Sequence, residues 1–338
     1  MIGRAKSQLS LLDSVFNKRK KRCRQDELLG RINQYVDWRP LVQACQRLFK
    51  KSKRGRPSIP IEYSLKCLFL QFLYSLSDPG LEDALIDRLS FQRFLGVNAE
   101  EELPDFTTIW RFRERLVKAK LHDQIFEMLL HQLEKENLIL RRGTLIDATI
   151  VQASRRPRKQ DSASNEENEQ TETEANHRTS CQRDLHASHT RKGKKRYYGY
   201  KGHISMDQGS AIIRKKVFTT ASVHDSQIRD DLICGDERSI FADKAYPDDN
   251  HKRLMRKNGV FYGILDKGRR NRPLSKSQKK KNKQKSKVRN AVERPFAHFK
   301  HLYQFTRVRY VNLDRNDLHF TFLCMIYNIR RGIVLSMV

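Results

Sequence analysis

At Gly143 the chain changes character, and that change narrows the folds open to it. Residues 60–140 carry apolar side chains at helical spacing, with Leu65, Leu68, Phe69, Phe72, Leu73 and Leu76 on one face of a 3.6-residue period. Ser77-Asp78-Pro79 stops that helix and starts a second through Leu81, Ala84, Leu85 and Leu89. Pro104-Asp105 caps a third carrying Trp110, Phe112 and Leu116, and His122 to Asn137 reads as a fourth. From Thr144 to Val151 the residues become β-branched and apolar, as in a buried strand. Tyr197–Met206 and Ala211–Thr219 then form a hairpin over Asp207-Gln208-Gly209. Ser239–Asp243 and Val260–Leu265 are two more strands with a helix, Pro247–Asn258, between them; Val288–Arg331 is mostly helical.

This order predicts a mixed α+β chain in three parts. Residues 1–55 are a basic arm with short helices, 56–140 a helical domain, and 141–331 a mixed five-stranded sheet flanked by helices. The polar stretch around 155–180 reads as a disordered insertion, and Lys276–Lys287 as a lysine-rich loop.

The 68 Lys and Arg outnumber 39 Asp and Glu, for a formal net charge of +29, which calls for a polyanionic partner. Charge alone leaves structural RNA as open as DNA. Cationic membrane binding needs an amphipathic anchor or a lipid signal, and the sequence carries neither. The longest apolar run, Cys67 to Leu76, is interrupted by Gln71 and too short to span a bilayer. No apolar stretch with a cleavage site follows Lys18-Arg19-Lys20-Lys21-Arg22, so the expected location is the cytoplasm, at the nucleoid. Cys23, Cys45, Cys67, Cys181, Cys234 and Cys324 lie far apart with no Cys-x-x-Cys pair, against both a zinc ribbon and a disulfide framework.

Two apolar runs each lead to an aspartate, Leu145-Ile146-Asp147 and Ile240-Phe241-Ala242-Asp243. A carboxylate partly withdrawn from water is costly unless a cation compensates it. For Asp147 the competing reading is a strand-end cap on a turn. For Asp243, capping competes with a ligand site at the sheet edge, where open α/β sheets favour them. A third acid, Glu293, shares a helical stripe with Arg289 and Lys300, within roughly 40° around the axis and about 16 Å along it. Such an acid could hold a hard cation while the two bases grip phosphates, or the three could be a solvated face with an ordinary Arg–Glu pair. Pro295 cannot donate to the carbonyl of Ala291 and should kink or restart that helix.

Further basic groups are candidates for phosphate contact. Lys280 and Lys283 belong to the lysine run, and Arg111, Arg113 and Arg115 to the third helix, as recognition-helix bases or as a plain basic face. His203 and His224 are expected to be hydrogen-bonded structural histidines, with His224-Asp225 near the site.

Together these segments resemble bacterial insertion-sequence transposases of the DDE type, in their InsH-like group. Arg289-x3-Glu293-x6-Lys300 is similar to the acidic helix motif, and Leu145-Ile146-Asp147-Ala148-Thr149 and Ala242-Asp243-Lys244-Ala245-Tyr246 to the two aspartate blocks. Arg56-Pro57, Leu76-Ser77-Asp78, Leu81-Glu82-Asp83-Ala84-Leu85 and Pro104-Asp105-Phe106-Thr107-Thr108-Ile109 look like the group's helical N-terminal domain. Lys192-Gly193-Lys194 through Tyr200-Lys201-Gly202-His203-Ile204, then Ala221-Ser222-Val223-His224-Asp225, follow in the right order. Each motif is weak, but their succession along nearly the whole chain is specific. In one departure, Ser286 stands at the tyrosine of the Y-x2-R-x3-E-x6-K pattern, so that role is not carried over.

The resemblance implies an RNase H-like catalytic domain with Asp147, Asp243 and Glu293 as catalytic triad and metal ligands, served by Mg2+ or Mn2+. It implies Arg289 and Lys300 as DNA-contacting bases. Double-stranded DNA would be the partner, as terminal inverted repeats and as target, with a homodimer assembled on it. The expected activity is metal-dependent cleavage at insertion-sequence ends and strand transfer. The rival readings are a nuclease that cuts without joining, and a catalytically inactive transposase relic or repressor that only binds nucleic acid.

Overall fold

The computed structural model describes residues 23–49, 59–98, 101–156, 183–246, 249–268 and 273–337. Nearly all of the insertion expected about 155–180, and the arm before Cys23, lie outside the described residues. The chain divides into two compact units, residues 1–138 with 321–338, and residues 139–320.

The first unit is helical: α1 (Arg24–Tyr35), α2 (Trp38–Gln46), α3 (Ile61–Leu73), α4 (Asp78–Asp87), α5 (Leu89–Leu95), α6 (Phe106–Ala119) and α7 (Leu121–Lys135). Short polar side chains set the helix starts, as capping chemistry requires: Ser77 Oγ accepts from Gly80 N at 3.1 Å and Asp105 Oδ1 from Thr108 N at 2.6 Å. Helix α3 is not one-faced, because every residue in it except Glu62 is buried. Its Lys66 tolerates this by pairing with Glu62 at 2.8 Å and lying over the Trp38 ring at 5.4 Å.

Two expectations for α6 fail. Ile109, Phe112, Arg113 and Leu116 form its inward face at i, i+3, i+4 and i+7, which leaves Trp110 on the outside, 46% exposed. Arg113 is only 2% exposed and makes a forked ion pair with Asp78 (2.6 and 2.8 Å), with Gln71 Oε1 accepting at 3.2 Å. Arg113 is therefore a structural group and not a DNA contact. Arg111 does face solvent, and Arg115 lies over the Phe49 ring at 4.5 Å.

The second unit is built on β1 (Thr144–Gln152), β2 (Ser188–Lys192), β3 (Lys195–Asp207), β4 (Ile213–Thr220), β5 (Ser239–Phe241) and β6 (Phe261–Tyr262). β1 runs antiparallel to β3 and parallel to β5; β3 pairs antiparallel with β2 and β4, and β5 runs parallel to β6. Among the described residues the mixed sheet thus has six strands rather than the expected five. The extra one is β2, whose sequence Ser-His-Thr-Arg-Lys has no apolar alternation to betray it.

Helices α8 (Asp249–Lys257), α9 (Lys276–Arg289) and α10 (Glu293–His301) follow β5, and α11 (Leu313–Leu335) closes the chain, its residues to Phe320 counting with the second unit and those from Thr321 with the first. The lysine run expected as a loop is α9. Lysine is a good helix former, and a capping box between Ser275 and Gln278 starts the helix. Asn282 then exchanges two 3.0 Å hydrogen bonds with the backbone of Asp266, and Lys285 Nζ donates to Ile264 O at 2.8 Å. These anchors offset repulsion between lysines four apart, such as Lys279 and Lys283. Beyond Arg289 a 3-10 turn, Asn290–Val292, interrupts the axis, and α10 restarts at Glu293, two residues before Pro295. Among the described residues no helix is long and apolar enough to cross a membrane.

Candidate active site

The strand register brings the two aspartates together. Leu145 of β1 lies opposite Phe241, the last residue of the parallel strand β5, and just beyond this pairing Asp243 is near enough for its charge to act on Asp147. On its other side Asp147 faces Ile204 of β3. Asp147 sits in mid-strand, which removes the turn-cap reading for it. Ile146, Ile240 and Ala242 anchor both segments in a core cluster with Leu232, Tyr246 and Ile264.

Arg289, the last residue of α9, brings in the third acid. Its Nη1 donates to Asp147 Oδ2 at 3.2 Å and its Nη2 to Glu293 Oε1 at 3.0 Å. Burial pushes the Asp147 carboxyl above the usual aspartate range; Arg289 and the Ala148 amide oppose this, and the negative charges of Asp243 and Glu293 push it further up. Acids from β1, from the segment after β5 and from the start of α10 thus act on one another, with Asp147 withdrawn from water and Glu293 exposed.

Lys300 completes the basic flank. Burial lowers its ammonium pKa first, the nearby Lys192 lowers it further, and Asp147 opposes both. Lys280 and Lys283 lie on the solvent side of α9.

Other groups near these acids were given no role in the sequence, apart from the expectation that His224-Asp225 lies near the site. Lys201 Nζ pairs with Asp225 Oδ1 at 3.0 Å. Tyr246 is buried with its hydroxyl unpartnered, and its pKa is raised first by burial, then by Asp225, Asp147 and Asp243. Tyr246 follows Asp243 by three residues in the second aspartate block, the one sequence signal that pointed to it. His203 is buried with Nε2 3.0 Å from Thr219 Oγ1, and His224 caps the turn of Asp225–Gln227 through Nδ1; both are structural.

The comparison with known families decides the class. Residues 139–329 match the family described as transposase DDE domain, and residues 17–115 match a transposase domain (DUF772). The chain belongs to the DDE transposase family. One solved structure resembles it loosely, a piggyBac transposase in a synaptic complex with hairpin DNA, at 11% identity and a TM-score of 0.46 over 92% of this chain and 73% of that one. That likeness is too remote to carry an argument.

DDE transposase domains typically use divalent metals, and the donor set here fits one. Asp147, Asp243 and Glu293 offer only carboxylate oxygen, the chemistry of a hard cation, and their mutual repulsion at a partly buried strand is what a cation would relieve. The three are not drawn into a tight ligand cluster, because the Arg289 guanidinium stands between Asp147 and Glu293. A tighter group in the same unit, Cys234, Asp236 and Glu237, is already committed. Asp236 holds Arg214 through two 2.7 Å bonds, and Glu237 accepts from the amides of Cys234 and Gly235.

Proposed function

We propose that this transposase cleaves DNA at the ends of an insertion sequence and joins the freed strand to target DNA, with Asp147, Asp243 and Glu293 as catalytic acids. The observation that carries the reading is the double hydrogen bond of Arg289, which ties an acid in mid-β1 to an acid 146 positions later at the start of α10.

The three carboxylates are the groups to hold Mg2+ or Mn2+. A bound pair of such ions would supply Lewis-acid activation of the attacking oxygen and stabilise the leaving one. The chain's own residues supply position. Asp147, held in the β1–β3 ladder opposite Ile204, sets where the scissile phosphate lies. Arg289 and Lys300 bind non-bridging phosphate oxygens beside it, and Tyr246, buried in the core cluster, lies within reach of the charges of Asp147 and Asp243. Lys280 and Lys283 track the backbone further out, and Arg111 serves DNA from the helical unit. Two element ends call for two protomers, hence a homodimer on DNA.

Incubating the purified protein with labelled element-end DNA and a plasmid tests this. Joined products support transposition; free ends alone support a nuclease. Asp147→Asn, Asp243→Asn and Glu293→Gln should each abolish cleavage while DNA binding persists. Full activity in any of the three would overturn the triad, and no activity in the wild type with intact binding would leave a DNA-binding relic.

A further inference from the structure

The β2–β3 hairpin carries Arg191, Lys192, Lys194, Lys195 and Arg196 around Gly193, all exposed, and no acidic side chain occurs from Ser188 to Met206. The register sets these charges against one another: Arg191 lies opposite Arg196, and Lys192 opposite Lys195. Like charges directly across an antiparallel ladder destabilise it. The hairpin stands because its lower part is anchored, with the His189 and Tyr198 rings 4.7 Å apart and Tyr198 Oη donating to Asp184 O at 2.6 Å. Its turn is made by Gly193 in the left-handed region (φ +62°), and Arg191 Nε donates to Gly193 O at 3.0 Å. The tip is thus built to hold cations together against their repulsion.

This strand pair is continuous with the active site. β3 runs from the tip to Ile204, the neighbour of Asp147, and Lys192 is close enough to Lys300 to disfavour its charged form. A line of positive groups therefore leads from the carboxylates through Lys300 and Lys192 to the tip. Duplex DNA, with one negative charge per roughly 1.7 Å of axis, matches such a line. The tip holds no Asn or Gln to read an adenine edge, and phosphate contacts position DNA without specifying its sequence. Element ends must be told apart by sequence; target DNA need not be.

We infer that the β2–β3 hairpin is a finger that grips the phosphate backbone of target DNA and leads it to the Asp147 site. This rests on the transposase reading above.

The test uses the full chain carrying Lys194→Gln, Lys195→Gln and Arg196→Gln together, with the charge-preserving triple Lys194→Arg, Lys195→Arg and Arg196→Lys as control. Binding to a duplex of arbitrary sequence is followed by anisotropy across a salt series, alongside joining of pre-cleaved ends to a plasmid and cleavage of labelled ends. The neutral triple should bind the arbitrary duplex about tenfold more weakly and lose roughly two to three units of salt slope. Joining should fall in proportion while end cleavage continues, and the control should behave as wild type. Thermal melting should be unchanged or slightly higher, since the opposed charges are relieved. Unchanged affinity and slope would overturn the inference, as would parallel loss of end cleavage, which would assign the finger to the element end. Asp243→Asn, run in the same assays, separates the two claims: if it still cleaves and joins, the catalytic reading fails while the duplex-binding result stands.

Discussion

Arg289 donates through Nη1 to Asp147 Oδ2 across 3.2 Å, joining residues 142 positions apart. Its Nη2 holds Glu293, while its Nε is buried without an acceptor, so the two acids are what orient the guanidinium. Arginine here competes with any cation for the same oxygens. Replacing Arg289 with Met should therefore tighten Mn2+ binding to the free protein, by about tenfold for loss of a unit charge some 5 Å from the divalent ion at a dielectric near 80, that of the water reaching the exposed Glu293 side. Manganese titration by electron paramagnetic resonance measures it. Affinity for end DNA should move the other way, because a phosphate ligand is lost.

Arg113 and Arg111 sit two residues apart on α6 and should behave oppositely. Arg113→Met takes the cation away from Asp78 and one donor away from Gln71 Oε1, and should cost about 3 kcal/mol of stability in urea denaturation. Arg111→Ala should change stability by less than about 0.5 kcal/mol and weaken DNA binding instead. Equal stability losses would contradict the burial difference between them.

His203 links stability to pH. Burial pulls its pKa down to about 4, with Lys201 acting the same way and Asp225 opposing. Between the ordinary value near 6.5 and about 4, the unfolded chain takes up a proton that the native one refuses. The stability this group contributes is complete above pH 6.5 and is lost as pH falls toward 4. Denaturation midpoints at pH 7, 5.5 and 4.5 should drop less steeply in His203→Gln than in the wild type.

Gly199 is confined by backbone. A Cβ there would collide with Val151 O and crowd Ala153 N, where β1 meets β3. Strand backbone cannot yield without breaking the ladder that carries Asp147. Gly199→Ala should lower the melting temperature sharply or prevent soluble expression, whereas Gly30→Ala, with open space around it, should be neutral or slightly stabilising.

DNA affinity should fall steeply with salt, because each phosphate neutralised releases counterions. A filter-binding series from low to high salt reads the slope, and a flat line would mean that the basic surfaces do not contact the backbone.

Local order was legible wherever burial repeats along the chain. The helices from Ile61 onward, the strand through Asp147, the restart at Pro295 and the succession of motifs all follow from residue type and spacing. Polar elements were not legible, because β2 and α9 bury almost nothing and owe their form to partners elsewhere, Tyr197–Gly199 for one and Asp266 for the other. Nor could periodicity reveal that Arg113 points inward and Trp110 outward, since either could head a helical face until Asp78 supplied a half-buried counter-charge. Sequence alone determined which carboxylates were available and on which elements. Only tertiary pairing decided that Asp243 comes near Asp147 and that Arg289 stands between Asp147 and Glu293, because charges so distant in the chain interact only once the sheet has closed the space between them.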